Sequence, residues 1–140
     1  MVLAATNRPF DLDEALRRRL EKRVYIPLPN EGGLKQLFDI NLKGMKLAED
    51  VDLNAMVKKV KGYSGADISN VCRDAAMMPL RNAISSGKLS ITEIANIKPE
   101  EIDTPITQKD FLEAIGNIQK SVSNDLLEEY QQWMDEFGCV

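Results

Sequence analysis

The sequence predicts a mainly α protein: two short strands at the C-terminal edge of an α/β domain, followed by a helical bundle. Three observations carry this reading. From Leu34 onward apolar residues recur at three- and four-residue intervals, the period of amphipathic helices. Ser64, Thr107 and Ser123 stand just ahead of such runs, as helix-capping residues do. Before residue 30 the pattern differs: residues 2–5 form a short continuous apolar run, the pattern of a buried strand, and residues 23–28 alternate less cleanly but contain Val, Tyr and Ile. Two strands do not make a stable sheet. Residues 1–29 are therefore expected to be the end of a larger α/β domain, and residues 30–140 a small helical domain with its own C-terminal helix.

The elements follow in order. Val2, Leu3, Ala4 and Ala5 make the first strand, which Asn7-Arg8-Pro9 ends. Asp11 or Asp13 caps a brief helical turn through Glu14, Ala15 and Leu16. Val24, Tyr25 and Ile26 suit a second strand that stops at Pro27 and Pro29. Pro29-Asn30-Glu31-Gly32-Gly33 has linker composition and marks a domain boundary. Leu34, Leu37, Phe38 and Leu42 give one helix, and Asp52 opens a second through Leu53, Met56, Val57 and Val60. Ser64, with Asp67 three residues on, starts a third that buries Ile68, Val71, Cys72 and Ala75, with a kink expected at Pro79. Residues 85–105 are polar and broken by Gly87 and Pro99, with helical turns expected near 91–97. Thr107 and Asp110 form another capping box, ahead of Phe111, Ala114 and Ile115. Ser123 caps the last helix, which carries Leu126, Leu127, Tyr130, Trp133 and Phe137 and stops at Gly138.

Composition excludes some chemistry. A net charge of −4 gives no global basic surface, so no nucleic-acid partner is expected and any anion site is local. Histidine is absent, which removes the commonest general base and metal ligand. Cys72 and Cys139 lack metal-ligand spacing, and a reduced intracellular setting is expected. No apolar run is long enough to span a bilayer, so no membrane role is expected.

Three features could carry function. Residues 17–23 read Arg-Arg-Arg-Leu-Glu-Lys-Arg, five cations in seven positions between two apolar runs. Guanidinium groups match phosphate oxygens in charge and geometry. Successive helical residues point about 100° apart, so at most two of the three adjacent arginines can converge on one anion. The third would serve packing or a surface pair, and a plain solvated patch is an equal alternative. Asn7, ending a buried strand, could orient a water or touch a phosphate, or simply turn the chain. Gly65 and Ala66 open a helix whose free N–H groups could meet a nucleotide, though a plain cap explains Ser64 as well.

Taken together, "LAATNRP", "RRRLEKRVYIPLP" and "GYSGAD" resemble the second half of an AAA-family ATPase module, over the entire chain. The uninterrupted Arg17-Arg18-Arg19 is similar to the meiotic clade of that family. Within the clade, "GYSGADISNVCRDAAMMPLR" and "SVSNDLLEEYQQWMDEFG" look closest to the katanin family. The endosomal-sorting branch inserts a small β domain late in its lid, and residues 85–105 leave too little room for one.

The resemblance implies a parent that hydrolyses ATP with Mg²⁺ and severs microtubules as a hexamer. Asn7 would be the sensor facing the γ-phosphate and attacking water. Arg18 and Arg19 would be arginine fingers supplied to the neighbouring subunit's ATP. Gly65 and Ala66 would contact the nucleotide from the lid, and Asn41 falls where some relatives place an adenine-side histidine. Implied partners are identical neighbouring subunits, tubulin and a regulatory katanin subunit; the implied location is the cytoplasmic microtubule cytoskeleton, at spindle poles and centrosomes. Neither a phosphate loop nor an acidic Mg²⁺-holding strand motif occurs in the 140 residues, so the chain alone is expected to be inactive. The alternatives are another meiotic-clade enzyme of spastin or fidgetin type, or a non-catalytic helical module that binds a partner.

Overall fold

The computed structural model describes residues 2–87 and 104–138. A 3-10 turn at Pro9–Asp11 precedes α1 (Glu14–Arg19), α2 (Glu31–Asn41), α3 (Leu53–Lys59), α4 (Gly65–Ser85), α5 (Gln108–Asn117) and α6 (Asn124–Phe137). These fall into two compact units, Leu28–Ser121 and a smaller one made of Met1–Pro27 with Val122–Val140. No helix among the described residues is long and apolar enough to cross a membrane.

In the larger unit, α2 to α5 surround one apolar core. Leu34 and Phe38 of α2, Met56 of α3, Ile68, Val71 and Cys72 of α4 and Phe111 of α5 are fully buried. Phe38 and Phe111 meet edge-on, with ring centroids 6.5 Å apart. Each such large side chain contributes roughly 1.5–3 kcal/mol by leaving water, so the bundle has a real source of stability. The caps sit where the sequence puts them. Asp52 accepts from the N–H groups of Asn54 and Ala55, while Ser64–Asp67 and Thr107–Asp110 form complete capping boxes. α4 runs unbroken through Pro79, which is buried in it.

Residues 29–33 are not a linker. The Asn30 side chain accepts from Gly33 N at 2.9 Å and starts α2 at Glu31. Pro29 packs so close that a Cβ on Gly33 would lie 3.2 Å from it. A cap with a packed proline outweighs the low helix propensity of two glycines. The turns expected at 91–97 lie outside the described residues.

The smaller unit has a different construction, with nothing fully buried in either α1 or α6. Tyr130 of α6 stacks on Phe10 at 5.5 Å and tilts against Tyr25 at 6.0 Å, while Trp133 and Phe137 pair at 5.6 Å. α6 stops at Gly138, whose N–H makes the last i→i−4 bond, to the Met134 carbonyl, and whose backbone then turns extended at ψ 148°; a Cβ there would sit 2.3 Å from that oxygen. The glycine is there for space, since its φ is −67°.

The two expected strands are a correction. Residues 2–5 and 23–28 take part in no ladder; among the described residues the one β interaction is an isolated parallel bridge between Leu47 and Ile106. Val2, Leu3, Val24 and Ile26 are each more than four-fifths exposed. A strand is defined by its neighbours, and these apolar runs have none to pair with. The mainly helical class stands.

Candidate functional site

The smaller unit sorts the arginine cluster by direction. Asp13 caps α1 through a 2.7 Å bond from Leu16 N, which makes residues 17–19 its last turn. Cations suit that end, where unpaired carbonyls leave partial negative charge. Arg17 turns inward: its guanidinium lies 4.6 Å from the centroid of the Phe137 ring. Arg18 and Arg19 are exposed. Arg18 forms an i,i+4 ion pair with Glu14, both side chains about two-thirds or more exposed, so the pair is a weak restraint. Of three adjacent arginines, then, one packs and two are presented to solvent.

Arg23 behaves as none of these. One of its Nη groups donates to the Phe137 carbonyl at 2.5 Å and the other to the carbonyl of Arg17. Both are free carbonyls at helix ends, of α6 and α1. By composition Arg23 belongs to the cationic cluster at 17–23; its partner lies 114 residues away and leaves no local signal. Asn7 is exposed, and the fold uses its backbone: Tyr130 Oη donates to the Asn7 carbonyl at 2.6 Å.

In the larger unit, Gly65 and Ala66 are the first two residues of α4. The capping box uses the N–H groups of Ser64 and Asp67. Gly65 N–H and Ala66 N–H therefore have no intrahelical acceptor, and they point where an anionic ligand is favoured. Gly65 is half-buried, and a Cβ there would just touch the Leu37 methyls of α2 at 3.9 Å; Ala66 is exposed. Asn41, on the same α2, spends its side-chain amide on the Leu37 carbonyl at 2.7 Å. The structure thus sets Gly65 against α2. Asn7, Arg18 and Arg19 belong to the smaller unit and Gly65, Ala66 and Asn41 to the larger.

Asp67 is the most constrained polar group of this region, only 3% exposed. Burial alone would push its carboxyl up, but the N–H groups of Ser64 and Ser121 and the hydroxyls of both serines outweigh that and hold it below the usual carboxylate range. Among the described residues no group of three or more acids or cysteines could hold a metal ion. The donor set fits a nucleotide's phosphates, and a Mg²⁺ ion would take its ligands from elsewhere.

The matching family models cover Gly65, Ala66 and Asp67 but not Asn7, Arg18, Arg19 or Asn41. An AAA+ lid domain model matches residues 50–95, and a model of the Vps4 C terminal oligomerisation domain matches residues 83–138. The chain is thus similar to AAA ATPases, whose lid domain model it matches over residues 50–95. It is homologous over all 140 residues to the katanin p60 ATPase-containing subunits. It is 56% identical to subunit A1 of Strongylocentrotus purpuratus and 54% identical to the A-like 1 subunit of Homo sapiens. The chain spans 27–28% of the length of those relatives. Among solved structures, the FIGL-1 AAA domain in complex with ADP superposes with a TM-score of 0.79 and 36% identity, over 96% of this chain and 44% of that one. The structure described as the basis for katanin self-assembly gives 0.77 and 30%, over 91% of this chain and 44% of that one.

Proposed function

We propose that this chain is the arginine-finger and lid portion of an ATP hydrolase that severs microtubules as a hexamer. Residues 1–29 end the large domain; residues 30–140 form the lid and its C-terminal helix. Arg18 and Arg19 reach the γ-phosphate bound by the adjacent protomer and offset the charge that develops there. Asn7 orients the attacking water. Gly65 N–H and Ala66 N–H contact nucleotide bound in the same protomer, beside Asn41 on α2. Bound ATP with Mg²⁺ supplies the phosphoryl group and its counter-charge. Tubulin is the substrate, a regulatory subunit is a partner, and the microtubule cytoskeleton is the setting.

The observation that carries this reading is the sorting of the arginines in a chain 56% identical to a katanin ATPase subunit. Arg17 is spent on Phe137, and Arg18 and Arg19 are left exposed and adjacent. Arginine fingers contribute about 10³–10⁵ in rate, roughly 4–7 kcal/mol of barrier. Arg18→Ala and Arg19→Ala in the full-length protein should retain ATP binding and lose turnover and severing. Unchanged turnover in both variants contradicts the assignment.

A fidgetin-type enzyme is the second reading, favoured by the higher identity to the FIGL-1 structure, 36% against 30% for katanin. It shares the chemistry. The 54–56% identity to katanin p60 subunits over all 140 residues supports the first.

A further inference from the structure

The Gly62-Tyr63-Ser64-Gly65-Ala66-Asp67 stretch does more than present two N–H groups. Four of its six residues grip a second segment, residues 118–121. Tyr63, 7% exposed, donates its hydroxyl to the Ile118 carbonyl at 2.7 Å, where α5 ends. Asp67 Oδ2 accepts from Ser121 N at 3.2 Å and from Ser121 Oγ at 3.0 Å. Ser64 Oγ lies 3.1 Å from Ser121 Oγ. At Gly62, φ is +84°, in the left-handed region, and the Lys120 side chain passes where a Cβ would be, its Nζ 3.2 Å from that position.

The same carboxylate oxygen, Asp67 Oδ2, also accepts from Ser64 N at 2.8 Å and so closes the capping box. One atom therefore fixes both the first turn of α4 and the segment that leads to α6. A capping acid needs only its own helix; this one is buried under a strap it holds by two bonds.

We infer that Tyr63, Asp67 and Ser121 are positioning residues for nucleotide: they clamp residues 118–121 onto the turn that carries Gly65 and Ala66. Nucleotide contact at that turn and order in the strap then stabilise each other. The inference rests on the proposed nucleotide contacts of Gly65 and Ala66. Linkage makes it reciprocal: what ligand does to the strap, loss of the strap must do to ligand affinity.

The test uses the full-length protein and ADP. Amide hydrogen exchange is followed in peptides covering 65–68 and 118–123, with ADP titrated in parallel. ADP should slow exchange in both segments. Ser121→Ala, at an exposed position, should weaken ADP binding roughly 3- to 10-fold, the loss of one hydrogen bond. It should raise KM for ATP with kcat within about twofold, and it should abolish the ADP response at 118–123. Ser121→Thr keeps the hydroxyl and should restore both. Tyr63→Phe keeps the ring and should reproduce part of the Ser121→Ala effect. Slowed exchange at 65–68 without any change at 118–123 overturns the clamp and leaves the nucleotide reading intact. Unaltered ADP affinity in Ser121→Ala does the same. An ADP response at neither segment overturns both.

Discussion

Arg23→Ala removes two charge-assisted bonds at once, to the carbonyls of Phe137 and Arg17. Bonds to a charged donor contribute about 1.5–3 kcal/mol each when desolvated. Arg23 is half-buried, and water replaces part of what is lost, so the net cost should be about 2 kcal/mol rather than the sum. The cost falls on the smaller unit, which has no buried core in α1 or α6 to compensate. Trp133, the sole tryptophan, sits in α6 beside Phe137 and reports that unit selectively. A urea titration followed by its emission should show the Trp133 transition of Arg23→Ala moved to lower urea by about 2 kcal/mol divided by the slope. Arg18→Ala, which loses only an exposed pair with Glu14, should shift it by under about 0.5 kcal/mol. Arg17→Ala should fall between, losing a cation–π contact of about 0.5–2 kcal/mol. Equal transitions for Arg23→Ala and Arg18→Ala would refute the reasoning.

Two further outcomes follow from buried titratable groups. Asp67 is held below its ordinary value, so its contribution to stability is complete above the unfolded-state pKa of about 3.9 and is lost as pH falls through the lower folded value. Denaturation midpoints should therefore decline below about pH 4, and Asp67→Asn should be less stable at pH 7 with a shallower acid decline; an identical acid profile would contradict this. Burial pushes the Cys72 thiol up to about 12. At pH 8 the Cys72 peptide should stay unalkylated by iodoacetamide in the folded chain and react fully in denaturant, as mass spectrometry would show; rapid native labelling would contradict it.

What the sequence made legible was local. Asp52, Ser64, Thr107 and Ser123 cap helices because each needs only N–H groups two or three residues away. The apolar faces of α2 to α5 follow from periodicity. Composition misled at Gly32-Gly33, where Asn30 and Pro29 impose a helix that glycine content argues against. The runs at 2–5 and 23–28 have strand chemistry, yet a strand also needs partners that these residues do not supply. Contacts across long separations were out of reach. Arg23 looked like its cationic neighbours, and nothing near it announces Phe137. Asp67 was readable as a capping acid, while its hold on Ser121, 54 residues on, was not. At the site, type and spacing marked the three adjacent arginines and allowed two to converge; the resemblance singled out Arg18 and Arg19, and the structure packs Arg17 on Phe137.

The central claim, that Arg18 and Arg19 serve a neighbour's nucleotide, can be tested by mixing two inactive full-length proteins. One carries Arg18→Ala with Arg19→Ala; the other keeps both arginines and carries a substitution that disables the phosphate loop the proposed function requires. ATP turnover in the mixture should rise well above that of either protein alone, because each interface pairing an intact loop with intact arginines forms a working site. A mixture no more active than its components, with co-assembly verified by sedimentation, would contradict action in trans.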